Sequence, residues 1–134
     1  MKTEIEIERD FYTLIKNSQL GAAIRGSLYR SEMRPANADG EDLIVKFLAG
    51  NDEQIQSGTM ILNLYVPDID SAGGRKVADK KRIGELQRHI LDFVENCDDT
   101  EYWIKTDGTP YSTYNPDIEQ HLIVTRLKFQ RLSN

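Results

Sequence analysis

The chain has 134 residues, 39% of them hydrophobic and 29% charged, which fits one soluble domain able to bury a core without metal or disulfide staples. Its net charge is −5 and its pI near 5.0. That balance argues against broad, nonspecific nucleic-acid binding, which needs a positive surface, and leaves room only for a local basic patch.

The N-terminal MKTEIEIERD has no apolar core of the kind a secretory signal carries. No stretch approaches the ~20 apolar residues of a membrane helix. The expectation is a soluble protein made in a cytoplasm. Ile7, Phe11, Leu14, Ile15 and Ser18 recur at three- and four-residue steps and predict a first helix. Glu4, Glu6 and Glu8 sit near its start, where the helix dipole favours acids, and Asn17-Ser18 and Gly21 mark where it frays or stops. Residues 20–28 read equally as a second helical turn or as the approach to a short strand. Residues 31–42, SEMRPANADGED, have loop chemistry.

The run 43–48 is rich in strand formers. Residues 59–66 alternate, with Met60, Leu62, Leu64 and Val66 on one face. These two strands predict a hairpin across 49–57, with a turn signal at Gly50-Asn51-Asp52. Pro67 cannot donate to a ladder, so the second strand is expected to end there, and 68–76 reads as a loop. Ile83, Leu86, Ile90, Phe93, Val94 and Cys97 predict a second helix over 77–97, closed by Asp98-Asp99. A short strand over 101–105, a turn at 107–110 and a long strand over 118–132 follow. In the last strand Ile123, Thr125, Leu127 and Phe129 share a face. The expected fold is a single α+β domain over 1–134: a mostly antiparallel sheet with two helices on one face, in the order α-β-β-α-β-β.

Several groups of residues carry chemistry worth weighing. Asp68 and Asp70 follow a strand, as a metal site or as a solvated loop; a metal needs further converging oxygens, which Glu41, Asp42 or Asp117 would have to supply. Pro67-Asp68 with Asp79-Lys80-Lys81 resembles the Pro-Asp … acid-x-Lys nuclease pattern, in which a divalent metal activates water. That pattern places its triplet on a strand, whereas here it starts a predicted helix, and Pro116-Asp117 repeats the cheap half of the match. His89 and His121 lack zinc-ligand spacing. Cys97 reads as a core cysteine rather than as half of a Cys–His pair. Gly73-Gly74-Arg75-Lys76 reads as a plain turn into a helix rather than an anion site. Trp103, Tyr111 and Tyr114 suit a protein-contact surface, or they cover a sheet edge. No catalytic residue, metal or cofactor is expected.

Residues 27–70 carry the remaining signal. Arg34-Pro35, Glu41-Asp42, Gln56, Gly58, Asn63 and Tyr65-Val66-Pro67-Asp68 form a pattern similar to segments of small prophage-type proteins. With the helix–hairpin–helix–hairpin layout, the chain resembles the tail-completion or tail-terminator proteins of long-tailed bacteriophages. The resemblance implies a non-enzymatic structural role. It implies a ring, commonly a hexamer, that contacts tail-tube or head-connector proteins and resides in the virion tail after cytoplasmic assembly. No membrane and no specific nucleic acid belong to that reading. Loops 31–42, 68–76 and 106–117 become the expected contact surfaces, with Arg34, Asp68, Asp70, Trp103, Tyr111 and Tyr114 as contact residues. A metal-dependent nuclease and a protein-interaction adaptor bound through Trp103 are the alternatives.

Overall fold

Thr3 starts the first helix. Its hydroxyl accepts from the Glu6 amide at 3.2 Å, and the Glu6 carboxylate accepts from the Thr3 amide at 3.0 Å. This reciprocal cap satisfies two otherwise orphaned donors. The computed structural model describes residues 1–51, 53–97 and 101–132. Helix α1 (Glu4–Lys16) buries Ile7, Phe11 and Ile15, and a short helix α2 (Gln19–Ala23) follows with Ser18 as its cap. The corner between them depends on Gly21, where a Cβ would lie 2.3 Å from the Ile15 carbonyl oxygen. Strand β1 (Leu28–Arg30) comes next, so both readings of residues 20–28 occur, one after the other.

Strand β2 (Leu43–Asn51) pairs antiparallel with β3 (Ile55–Pro67). The hairpin is tighter than expected, because both strands extend into the segment assigned to its loop. Gly50 and Asn51 are strand, and Asp52 lies outside the described residues. The expected loop 68–76 holds a small ribbon, β4 (Ile69–Asp70) against β5 (Lys76–Val77). Helix α3 (Lys80–Asn96) is capped by Asp79 and buries Ile83, Leu86, Ile90 and Phe93. Its expected terminus at Asp98-Asp99 also lies outside the described residues.

Strands β6 (Trp103–Thr106) and β7 (Tyr111–Asn115) both pair antiparallel with β8 (Gln120–Leu132). They lie end to end along one edge of β8, interrupted at 107–110, where the Asp107 amide still donates to Arg126 O at 2.8 Å. Half of the expected loop 106–117 is therefore strand. The reversal is short, at 116–119, and Glu119 takes a positive φ of 50° there.

The sheet order is β1-β2-β3-β8, with β6 and β7 outermost. Only β1 is parallel to its neighbour; the other pairings are antiparallel. The α+β class holds. Leu43, Val45, Met60, Leu62, Leu64, Val66, Ile123, Leu127 and Phe129 form one buried cluster with the apolar stripes of α1 and α3. Both long helices therefore cover the inner face. On the outer face Ile44, Ile61, Leu122 and Val124 are half-buried, while Lys46, Lys105, Arg126, Lys128, Trp103 and Tyr111 are exposed.

Candidate functional site

Three places concentrate polar or exposed chemistry. The first lies where the β1–β2 connection meets α3. Glu41 receives a forked pair from Arg82: Nη2 to Oε1 at 2.7 Å and Nε to Oε2 at 2.9 Å. Arg82 Nη2 also donates to Ala23 O at 2.7 Å, and the Arg25 amide donates to Glu41 at 2.9 Å. Glu41 is buried, its side chain 4% exposed, and Arg82 is mostly shielded, at 11%. The bonds to Glu41 lead the causes that hold the Arg82 pKa above its ordinary value. One ion pair thus ties α2, the β1–β2 loop and the start of α3 together.

Asp42 does the same on the other side of the chain. It accepts from the Ser27 amide at 2.7 Å and from Arg34 Nε at 2.9 Å. The Arg34 guanidinium lies 3.9 Å over the Tyr65 ring and donates to Gly40 O and Gln120. Loop 31–42 is therefore fastened across the end of the outer face.

Asp68 is the residue whose setting differs most from expectation. Strand β3 ends at Pro67, as expected, where Pro67 faces Gln120, and the Asp68 amide just beyond it donates to Glu119 O at 3.3 Å. Its carboxylate turns back to His121 Nδ1 at 2.6 Å and is only 2% exposed. The Tyr114 ring stands beside that imidazole, centroids 5.3 Å apart. A carboxylate orienting a histidine is half of a hydrolytic triad; the other half is a nucleophile on the second ring nitrogen. Among the described residues His121 makes no such bond.

At the opposite end of the sheet, Asp10 accepts from Lys2 Nζ at 2.5 Å and from the Tyr102 hydroxyl at 2.7 Å. Lys2 reaches Glu101 at 2.6 Å, and Glu101 meets Arg131, which donates to Gln56 at 2.8 Å. Gln56 in turn donates to Lys2 O. Burial pushes the Asp10 carboxyl up, but the bonds from Lys2 and Tyr102 outweigh it and leave the pKa below the ordinary value. Burial first, then the bond to Asp10, pushes the Tyr102 hydroxyl far up, so it stays protonated as the donor.

A depressed carboxylate stabilises the fold above its unfolded pKa and loses that contribution as pH falls through the folded one. Asp10→Asn is therefore expected to lower stability near neutrality by about 1 kcal/mol, given the partly exposed pair. The gap to wild type should shrink between ~pH 5 and ~pH 2. Urea titrations across that range check it; a constant gap rejects the assignment.

Of the six expected contact residues, Arg34 and Asp68 have their charges taken up by internal partners. Asp70 is exposed on β4 and pairs with Lys76 at 3.0 Å. Trp103 and Tyr111 stand on the outer face, 58% and 56% exposed, and Tyr114 is exposed on β7. The acids of the nuclease pattern have other partners: Asp79 caps α3 through the Arg82 amide at 3.1 Å, and Asp68 holds His121. Among the described residues no three His, Cys, Asp or Glu side chains gather as a metal-holding group. Gly73-Gly74 forms the turn of the β4–β5 ribbon and not the start of a helix; the Gly74 amide donates to Ser71 O at 3.0 Å. Cys97, expected as a core residue, is only half-buried at the end of α3. It lines, with His89, a concavity of about 590 Å³ between the helices.

The chain matches no model of a known protein family and no curated protein. Two features escaped the sequence reading. Glu41 and Arg82 are 41 positions apart, and nothing local pairs them. The outer-face cations were legible in principle: Arg126 and Lys128 alternate with Leu127 and Phe129, so the strand period already puts both on the solvent side.

Proposed function

We propose that this chain is a non-enzymatic structural protein of a phage or prophage tail, assembling as a ring at the tail end or head–tail junction. The observation that carries the assembly reading is the edge strand Tyr111–Asn115. Its sequence YSTYN has no charge, and four of its five residues are exposed. Solitary folds blunt such edges with Lys, Pro or bulges, because an open strand pairs with another chain. Here prolines flank the strand at 110 and 116 but leave its centre free of them. The opposite edge of the sheet is β1, a different strand. Two unlike edges favour head-to-tail contact, and head-to-tail contacts close into rings when the rotation allows. The exposed β4–β5 ribbon with Asp70, and Tyr114 at the end of β7, extend this edge toward a tail-tube or connector partner. The tail assignment itself rests on the pattern in residues 27–70.

Light scattering after size exclusion tests it. Wild type is expected to give a species several times the 15.4 kDa chain, alone at high concentration or on purified tail tubes. Ser112→Lys, which places a charge on the edge, is expected to remain monomeric and off the tubes. A wild type that stays monomeric in both settings overturns the ring. Capsid, portal and tape-measure genes flanking the coding sequence are the expected genomic counterpart.

A further inference from the structure

The outer face holds a cluster of cations that the ring reading does not use, beside Tyr111 of the edge strand. Across the sheet, Thr59, Lys128 and Lys105 are register neighbours, as are Ser57, Gln130 and Trp103. Lys46, Ile61 and Arg126 form another row. These rows border a concavity of about 690 Å³ whose floor is small, with Ala49, Ser57 and Thr59, and whose wall is Trp103, Lys105 and Lys128. Among the described residues Asp107 is the acid within ion-pair range, 3.7 Å from Arg126 and 3.8 Å from Lys128. In a chain of net charge −5, Lys46, Lys105, Arg126 and Lys128 thus collect on one uncovered face.

We propose that this face binds single-stranded nucleic acid without sequence preference. Trp103 and Tyr111 offer flat, exposed rings on which bases stack, and the four cations meet the phosphates. The small floor admits a planar base against the indole. Stacking requires unpaired bases, which a duplex keeps inside. An acidic protein surface would meet the same lysines, and comparing oligomeric mass with oligonucleotide binding separates it from a nucleic acid. The overall negative charge limits contact to this face, so affinity is modest and strongly dependent on salt.

The test uses the intact chain and a fluorescein-labelled oligothymidylate of about 16 nucleotides, followed by anisotropy at about 50 mM salt. Expected is saturable binding whose log K falls against log salt with a slope of about −2 to −3, from three or four phosphate contacts. Lys105→Glu/Lys128→Glu is expected to abolish it. Trp103→Ala should weaken it about tenfold or more. Lys80→Glu/Lys81→Glu, on the helix side, should leave it intact. All these positions are exposed, and circular dichroism confirms that each variant folds. No anisotropy change with wild type overturns the proposal. So does inorganic polyphosphate competing equally while Trp103→Ala binds as wild type, which marks a charge-only surface. A lysine pair whose loss changes the oligomeric mass but not oligonucleotide binding overturns it in favour of a protein partner. Ser112→Lys charges the edge strand at a position whose partner Ile123 faces the core, so it leaves this face untouched, and failure of the ring and failure of nucleic-acid binding are read separately.

Discussion

Glu41→Ala is expected to destabilise the fold by about 3–5 kcal/mol, among the largest effects any single substitution would have here. The reason is asymmetry. Glu41 and Arg82 are both removed from water, and the forked pair offsets that desolvation through two short charged bonds. Deleting the carboxylate leaves the guanidinium buried with the Ala23 carbonyl and an exposed Glu85 at 3.3 Å as its remaining partners. The Arg25 amide loses its acceptor as well. For a domain of this size the cost corresponds to a fall in melting temperature of roughly 10–20 °C. Glu41→Gln keeps the shape and one acceptor, so it should fall between. Replacing both partners by apolar residues of similar size, Glu41→Leu with Arg82→Met, should recover most of the loss, because no charge is left buried. Salt should change these differences little, since buried pairs are poorly screened. Thermal melts of the four proteins decide the matter; a Glu41→Ala loss below about 1 kcal/mol means the pair is solvated.

Much of the fold was legible because burial here follows simple periods. Ile7, Phe11 and Ile15, then Ile83, Leu86, Ile90 and Phe93, recur at helical spacing and are the residues the helices bury. Met60, Leu62, Leu64 and Val66 alternate and are the residues β3 buries. The misread positions share another cause. Residues 111–115 look like loop because Tyr, Ser, Thr and Asn show no apolar alternation. An edge strand exposed on both sides has no reason to show any, and β8 supplies its ladder from outside. Asp68 looked solvated because a proline precedes it, but His121, 53 positions away, holds it. Local sequence reports local preference, whereas a buried ion pair or a strand edge is a property of two distant segments meeting. The candidate contact residues divide along that line. Trp103 could be read from its short strand, and Tyr111 and Tyr114 were read from an expected loop, but the internal partners of Arg34 and Asp68 could not be read at all.

Phe129→Ala is the second large effect, expected at about 3–5 kcal/mol. Phe129 is the hub of the inner face at the β6 end. Its ring meets Phe11 and Tyr102 edge-on at 5.6 and 5.9 Å, and Phe47 at 6.4 Å. Phe129 faces Gly58 in the ladder, and a Cβ at Gly58 would stand 2.8 Å from the ring. The glycine thus makes room for the ring and has no side chain of its own to fill the space that alanine leaves, with Gln56 and Met60 as its neighbours on that face of β3. Poor collapse puts the cost at the upper end of the range, since the cavity adds to the lost transfer energy. The edge-on pairs add about 0.5–1.5 kcal/mol each beyond buried area. Gly58→Ala cannot repair the cavity, because its Cβ would also lie 2.4 Å from the Ala49 carbonyl oxygen, which is backbone. Phe129→Leu retains most of the volume and should lose less than half as much. The measurement is urea unfolding at fixed temperature, with an unchanged slope showing that the denatured states are comparable. Lys128 and Gln130 flank Phe129 on the same strand and point to the opposite face. While Phe129→Ala remains folded, its oligonucleotide binding should therefore match wild type. Binding lost from a folded Phe129→Ala protein would show that the outer concavity, which Phe129 also lines, depends on the packing beneath it.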